Sequence, residues 1–223
     1  MKTGSEIIID VLAEEGVETI FGYSGGAILP TYDEVFKYNE ANPKNPMPLI
    51  VPSNEQGAGF MASGYARSTG KPGVVMVTSG PGATNTVTPV RDAMADSIPM
   101  VIICGQVSRA AIGSDAFQEA PISSVMGSVA KHVFLITNEN KLAATLKAAF
   151  EVATSGRPGP VVVDIPKDIQ TAEISDEDHE EANIAAYANR ILAIEESRLS
   201  EEKSSEFFDH LSNSKKPLIY FGG

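Results

Sequence analysis

Through residue 170, short and wholly apolar runs alternate with longer amphipathic segments. Ser5–Gly16, "SEIIIDVLAEEG", has the period of an amphipathic helix, with Thr3 or Ser5 as its cap and Gly16 as its stop. "VETIFGYSGG" reads as a strand running into a glycine turn. "AILPTYDEVFKY" reads as a helix with Pro30 in its first turn. After the proline-rich loop "ANPKNPMP", "LIVPS" is a strand, and Asn54 caps a helix over Glu55–Ser68. "GVVMVTSG", "MVIICGQ", "KHVFLIT" and "GPVVVDIP" supply four more strands. Between them lie the turn "GPGATN" with a helix through Ala95, the loop "VSRAAIGSDAFQEAP", and a helix in "NENKLAATLKAAFEVATSG" capped by Asn138 or Asn140.

Strands apolar along their whole length, separated by helices, predict an α/β fold. Its parallel sheet is flanked by helices on both faces. At Thr171 the pattern changes. "TAEISDEDHEEANIAAYANR" is polar and acidic and predicts a surface linker. Beyond it, a helix over Glu201–Leu211 and the strand "KPLIYFGG" read as the first elements of a second, truncated α/β domain. The expected division is a domain over 1–170, an acidic linker over 171–197, and the start of the second domain over 198–223.

With 223 residues, 43% of them hydrophobic, the chain can build a real core. Its charge is unevenly placed. Residues 171–213 hold twelve acids and three bases, a net −9 of the chain's −12. Such a chain lacks the clustered Lys and Arg that phosphate contacts need, so nucleic acid is not its expected partner. The single cysteine, Cys104, cannot pair within the chain; it reads as a small buried hydrophobe and fits a reducing compartment. No signal segment opens the chain and no apolar run is of membrane-spanning length, so a cytoplasmic protein without a membrane partner is expected.

Glycine-rich turns end three predicted strands, in "FGYSGGA", "SNEQGAGF" and "TSGPGATN". In open parallel sheets, ligands bind beyond the carboxyl ends of the strands, where glycine admits a ligand to the backbone and helix N-termini offer free N–H groups. None of these turns is a P-loop, because no G-K-[ST] follows. None completes a dinucleotide fingerprint, since Asn85 stands where a third glycine is needed. Each turn taken alone fits tight packing equally well. Glu55 also has two readings. It is an acid stabilised by about 0.3–1 kcal/mol in a helix's first turn, or a carboxylate positioned toward a ligand in a cleft.

As a set, "GYSGGAILPTYD", "EQGAGFMASGYARSTGKPGVV", "VTSGPGATN", "DSIPMVIICGQV", "GSDAFQE" and "SGRPGPVVVDIPKDIQ" resemble one family, in order from Thr3 to Gln170. They are similar to the N-terminal, pyrimidine-binding domain of thiamine diphosphate enzymes, and among these to the large subunit of the acetolactate (acetohydroxyacid) synthase family. The resemblance implies that Glu55 is catalytic. It would hydrogen-bond N1′ of the cofactor's aminopyrimidine and favour the imino tautomer, whose N4′ takes the proton from C2. Gly57, Ala58 and Gly59 would leave room for the ring.

Other positions carry over from the same resemblance. Tyr23, Gly25, Gly26 and Ala27 match the family's glycine turn along the cofactor and substrate channel. Pro81 and Asn85 match positions beside the pyrimidine. Phe117 and Gln118 match residues facing the active centre, Gln118 among the cofactor contacts. Lys167 matches a lysine at the substrate entrance, and Arg157 a contact to FAD. The bland alternatives are a core Phe117, a solvated Lys167 and an Arg157 that caps a helix's carboxyl end. Ser24, Asn54 and Ser108 depart from the family's usual Pro, His and Pro. Ser108 stands in the channel where the family's herbicides bind, which implies weaker sulfonylurea binding.

The implied activity is condensation of two pyruvates, or pyruvate and 2-ketobutyrate, with loss of carbon dioxide, in branched-chain amino acid biosynthesis. The implied cofactors are thiamine diphosphate, with Mg²⁺ and FAD in the full-length enzyme. No metal ligand is expected in these residues, since the family's diphosphate and Mg²⁺ motif begins G-D-G and none occurs here. The family's site forms between subunits, so a homodimer or larger assembly, the diphosphate-binding domain of a complete subunit and a regulatory subunit are the implied partners. This portion alone would then be inactive. The alternatives are part of another 2-keto acid carboligase or decarboxylase, and a non-catalytic half-site subunit.

Overall fold

The computed structural model describes residues 1–182 and 199–220. The chain forms two compact units, 1–183 and 184–223. In the first, the elements follow the order β1 (Lys2–Thr3), α1 (Gly4–Glu14), β2 (Ile20–Tyr23), α2 (Leu29–Ala41), β3 (Leu49–Ile50), α3 (Glu55–Thr69), β4 (Gly73–Val77), α4 (Pro81–Thr84), α5 (Val87–Ala95) and β5 (Met100–Gln106). After them come α6 (Ile122–Gly127), β6 (His132–Leu135), α7 (Leu142–Thr154), β7 (Pro160–Pro166), α8 (Lys167–Thr171) and β8 (Glu173–Ile174).

Six strands form one parallel sheet in the order β3-β2-β4-β5-β7-β6. β4, β5 and β7 are buried at every position, as expected of strands covered on both faces. Alternate residues divide between the faces. Val75, Val77, Ile102, Cys104 and Val162 join Ala58 and Ala62 of α3, Val90 and Ala93 of α5, and Ile122 and Met126 of α6 in one core. α1 and α7 pack together, and α7 packs on β5 and β7.

Local chemistry sets the boundaries. Thr3, rather than Ser5, caps α1: its hydroxyl accepts from Glu6 N–H while the Glu6 carboxylate accepts from Thr3 N–H, a capping box. Asn138 caps a short 3₁₀ turn, Glu139–Lys141, that leads into α7. "LIVPS" pairs only over Leu49–Ile50, at the sheet edge. The stretch after β5, expected as loop, contains a 3₁₀ turn at Arg109–Ala111 and is followed by α6.

Two expectations are revised. Residues from Thr171 were expected to be linker, but Glu173–Ile174 pairs antiparallel with Lys2–Thr3, tying the domain's exit to its entrance. The first unit therefore runs past residue 170. In the second unit, described over 199–220, α9 (Glu201–Asn213) is capped by Ser200, whose hydroxyl accepts from Lys203 N–H at 3.3 Å. The expected strand "KPLIYFGG" is not a strand over Pro217–Tyr220, since no described segment pairs with it; Leu218 and Tyr220 are exposed. Its last three residues, 183–197 of the expected linker, and residue 198, the expected start of the second domain, lie outside the described residues.

Candidate functional site

β2 lies between β3 and β4 in the sheet. The chain leaves β2 toward β3 and leaves β4 toward β5, in opposite directions, so a crevice opens between the carboxyl ends of β2 and β4. Three of the segments singled out in the sequence meet there. The turn Tyr23–Ala27 begins at the last residue of β2, Asn54–Glu55 opens α3, and Thr78–Pro81 follows β4.

Glu55 is the first residue of α3 and is only 9% exposed. Asn54 fixes the start of the helix by accepting from Gly57 N–H at 2.8 Å. Asn85 Nδ2 donates to Glu55 Oε2 at 2.8 Å. Oε1 accepts no hydrogen bond among the described residues. A methyl group added at Gly82 would lie 3.5 Å from it. The carboxylate is thus held by one oxygen and presents the other at the head of a helix, whose dipole favours a negative charge. Behind it, the Tyr32 hydroxyl donates to Met76 O at 2.8 Å. Burial, and then the Glu55 charge, push the Tyr32 phenol well up.

The glycines of two turns face one side chain, Thr78. Its hydroxyl accepts from Ala27 N–H at 3.2 Å. A Cβ at Gly25 would come within 2.5 Å of the Thr78 methyl, and one at Gly82 within 2.7 Å. Both turns therefore close against Thr78 only with glycine. Gly80 adopts φ +52, and a side chain there would strike the backbone carbonyl of Gln118. That contact brings the loop after β5 to the same edge. Gln118 itself has φ +57. Glu119 shapes the loop by accepting from the N–H groups of Gly113 and Ala116, and these bonds hold its carboxyl below the usual range.

The expected site residues fall into two groups. Tyr23 ends β2, and Gly25, Gly26, Ala27, Glu55, Pro81, Asn85, Ser108, Phe117, Gln118 and Lys167 all sit beyond carboxyl ends of strands. Phe117 is 89% exposed, so it is not core. Lys167 is exposed at the start of α8, and its amine makes no hydrogen bond or ion pair among the described residues. Ser108 precedes the 3₁₀ turn, next to Arg109, which donates to Asp168, Glu139 and Thr137 O and fastens this loop to α8.

Arg157 lies elsewhere. It precedes β7, at the amino edge of the sheet, and donates to Met94 O and Ala95 O at 3.0 Å each and to Ser97 Oγ at 2.9 Å. These bonds cap the carboxyl end of α5. Nor is the smallness of Ala58 and Gly59 open room. Ala58 is buried in the core, and a side chain at Gly59 would meet the ring of Pro89.

Sequence reading passed over Thr78, Tyr32, Gln170 and Asp164. The signal for Asp164 was a charge inside an apolar strand, "VVVDIP". It is 1% exposed; Gln106 Nε2 donates to Oδ2 at 3.0 Å, and Oδ1 has no partner among the described residues. Burial pushes its carboxyl up to about 7, against the smaller opposing effect of the Gln106 bond.

Comparison with known proteins agrees with this geometry. The family described as thiamine pyrophosphate enzyme, N-terminal TPP binding domain, matches residues 2–128. The chain is 43% identical over 221 residues to the mitochondrial acetolactate synthase catalytic subunit of Saccharomyces cerevisiae, covering 99% of this chain and 31% of that protein. It is 54% identical over 168 residues to the mitochondrial acetolactate synthase catalytic subunit of Aspergillus candidus, covering 75% and 23% respectively. With the acetolactate synthase large subunit of Corynebacterium glutamicum it shares 42% identity over 221 residues, covering 99% and 33%. It thus spans about a third or less of the length of these relatives. The parallel sheet, the crevice at its strand-order reversal and the sequence match agree: the chain belongs to the thiamine pyrophosphate enzymes, as their N-terminal TPP-binding domain.

Proposed function

We propose that the chain is the N-terminal part of an acetolactate synthase catalytic subunit, and that it holds the aminopyrimidine end of thiamine diphosphate against Glu55. The carrying observation is the half-satisfied, buried Glu55 carboxylate, one oxygen on Asn85 and the other without a partner among the described residues, beside glycines that Thr78 leaves no room to replace. The residues fit the group. A flat heteroaromatic ring needs backbone-close approach, which the Tyr23–Ala27 and Thr78–Gly82 turns give. Its ring nitrogen N1′ needs a carboxylate, which Glu55 Oε1 supplies.

When bound, thiamine diphosphate supplies the electron sink for decarboxylating one 2-keto acid and joining the remainder to another. The protein's part is to bind, orient and move protons. Glu55 would share its proton with N1′ and so set the basicity of the ring's amino group. Asn85 holds that carboxylate in place. The exposed ammonium of Lys167, beyond β7, suits the carboxylate of a 2-keto acid such as pyruvate or 2-ketobutyrate. Phe117 and Gln118, on the loop held against Gly80, would flank the same space, and Ser108 its entrance.

The activity is proposed for the complete subunit, in branched-chain amino acid biosynthesis, with Mg²⁺ held by parts outside these residues and FAD held mainly by such parts, with Arg157 as one flavin contact. A homodimer, in which the diphosphate-binding domain of one subunit completes the site of another, and a regulatory subunit are the proposed partners. The cytoplasm is the proposed compartment, as a reducing one that fits a chain whose single cysteine forms no disulfide within it. Among the described residues, no helix is long and apolar enough to cross a membrane. The test is product formation from pyruvate. The complete subunit should release acetolactate and carbon dioxide with thiamine diphosphate and Mg²⁺, and the 223-residue chain alone should not. Decarboxylation to an aldehyde without joining would instead favour a decarboxylase.

A further inference from the structure

Behind the crevice lies a buried side chain that the proposed chemistry does not use. Gln170 is in α8, one turn after Lys167, and is wholly buried. Its Nε2 donates to Ala27 O at 2.8 Å and to Ile165 O at 3.0 Å. Its Oε1 accepts from Thr31 Oγ1 at 2.9 Å, and its backbone carbonyl accepts from Ser5 Oγ at 3.0 Å. One residue thus joins the glycine turn, the end of β7, α2 and the start of α1.

The bond to Ala27 matters most. Ala27 is held from both sides, its N–H by Thr78 Oγ1 and its carbonyl by Gln170. A Cβ at Gly105 would lie 2.6 Å from that carbonyl, so β5 closes over it. Without the Gln170 amide the carbonyl would be buried and unpaired, which the turn can relieve only by moving. Moving it shifts Ala27 N–H off Thr78, the wall that Gly25 and Gly82 face.

We propose that Gln170 is a positioning residue. It sets the Tyr23–Ala27 turn against Thr78 and ties that turn to the helix bearing Lys167, so that cofactor ring and substrate acid are held in register. This rests on the functional reading above.

The test uses the complete subunit with Gln170→Met, which keeps volume and removes the amide. Thiamine diphosphate affinity is read by calorimetric titration, and backbone opening by amide hydrogen exchange. The expected result is about a tenfold weaker Kd. Exchange should quicken over residues 22–28 and 78–85 while the central strands, 100–106 and 160–166, stay protected. Thr31→Val removes the bond to Oε1, with a longer 3.3 Å contact to Ser5 Oγ, and should shift both readouts the same way by about twofold to threefold; it carries the test if the first variant does not fold. An unchanged Kd, or exchange that quickens equally in the central strands, would overturn the proposal. If the wild-type subunit binds no thiamine diphosphate, the functional reading falls instead. The exchange pattern then decides whether Gln170 holds the turn.

Discussion

The two edges of the sheet treat their polar groups differently. At the amino edge, charged side chains are engaged with neighbours. Arg157 caps α5, Arg67 bridges Asp92 and Asp96, Lys71 and Tyr65 share Glu18, and Lys131 donates to the carbonyls of Val152 and Ser155. At the carboxyl edge, Arg109 is engaged in the same way, but Glu55 Oε1 and the Lys167 amine make no hydrogen bond among the described residues. Large apolar side chains are exposed there as well, among them Tyr23 and Phe117. Satisfied groups hold a fold together. Among the described residues the buried side-chain oxygen left without a partner is Asp164 Oδ1, inside the sheet; Glu55 Oε1 is not sealed off in that way, so a ligand in the crevice can reach it.

Substitutions at the two edges should therefore separate binding from stability. The largest effect is expected at Gly25. In Gly25→Val the new side chain would overlap Thr78, and thiamine diphosphate affinity of the complete subunit should fall by about a hundredfold, because the turn must leave its wall. Calorimetric titration reads this, and a normal Kd would show that the turn does not face the ring.

Asp164 tests the interior between the edges. Its folded pKa, about 7, is raised from 3.8. A raised carboxyl means that the folded state binds the proton more tightly. This contribution to stability is present below about pH 4 and is lost as pH rises through about 7. Relative to Asp164→Asn, the wild type should lose on the order of 2–4 kcal/mol of unfolding free energy between pH 4 and 8. Denaturant titrations at both pH values check the slope; parallel curves would mean that Asp164 is solvated.

At the amino edge, Arg157→Ala removes two bonds to the last carbonyls of α5 and should cost about 1–2 kcal/mol of stability. Thiamine diphosphate affinity should be untouched. The smallest effect is expected at Gly70, which ends α3 at φ +73 with open space around it. Gly70→Ala should cost about 1 kcal/mol through backbone strain alone, again without change in affinity. A binding defect in either variant would erase the distinction between the edges.

Much of this architecture was legible because its signals are local. "GVVMV" and "MVIICGQ" have no polar face, so burial on both sides and a parallel sheet follow from the residues themselves. Asn54 before Glu55 announced the start of α3. What stayed hidden depends on partners distant in sequence. The β1–β8 pair joins Thr3 to Glu173, and no two-residue strand signals its mate. "KPLIYFGG" has strand composition, but Pro217–Tyr220 has no described neighbour to pair with. Glu55 was conspicuous as a lone charge among small residues. Thr78 and Gln170 were not, because a threonine at a strand end and a glutamine after "PKDI" gain meaning only when Ala27 is folded between them.

The central claim is that Glu55 acts on the cofactor rather than on the helix. The direct measurement is hydrogen–deuterium exchange at C2 of bound thiamine diphosphate, in the complete subunit and its Glu55→Gln variant, under saturating cofactor. Gln keeps the size and the bond to Asn85 but cannot hold the proton. Exchange should slow by about a hundredfold or more, with the chain folded as before. Exchange at the wild-type rate would contradict the account and leave Glu55 as an acid that only steadies the first turn of α3.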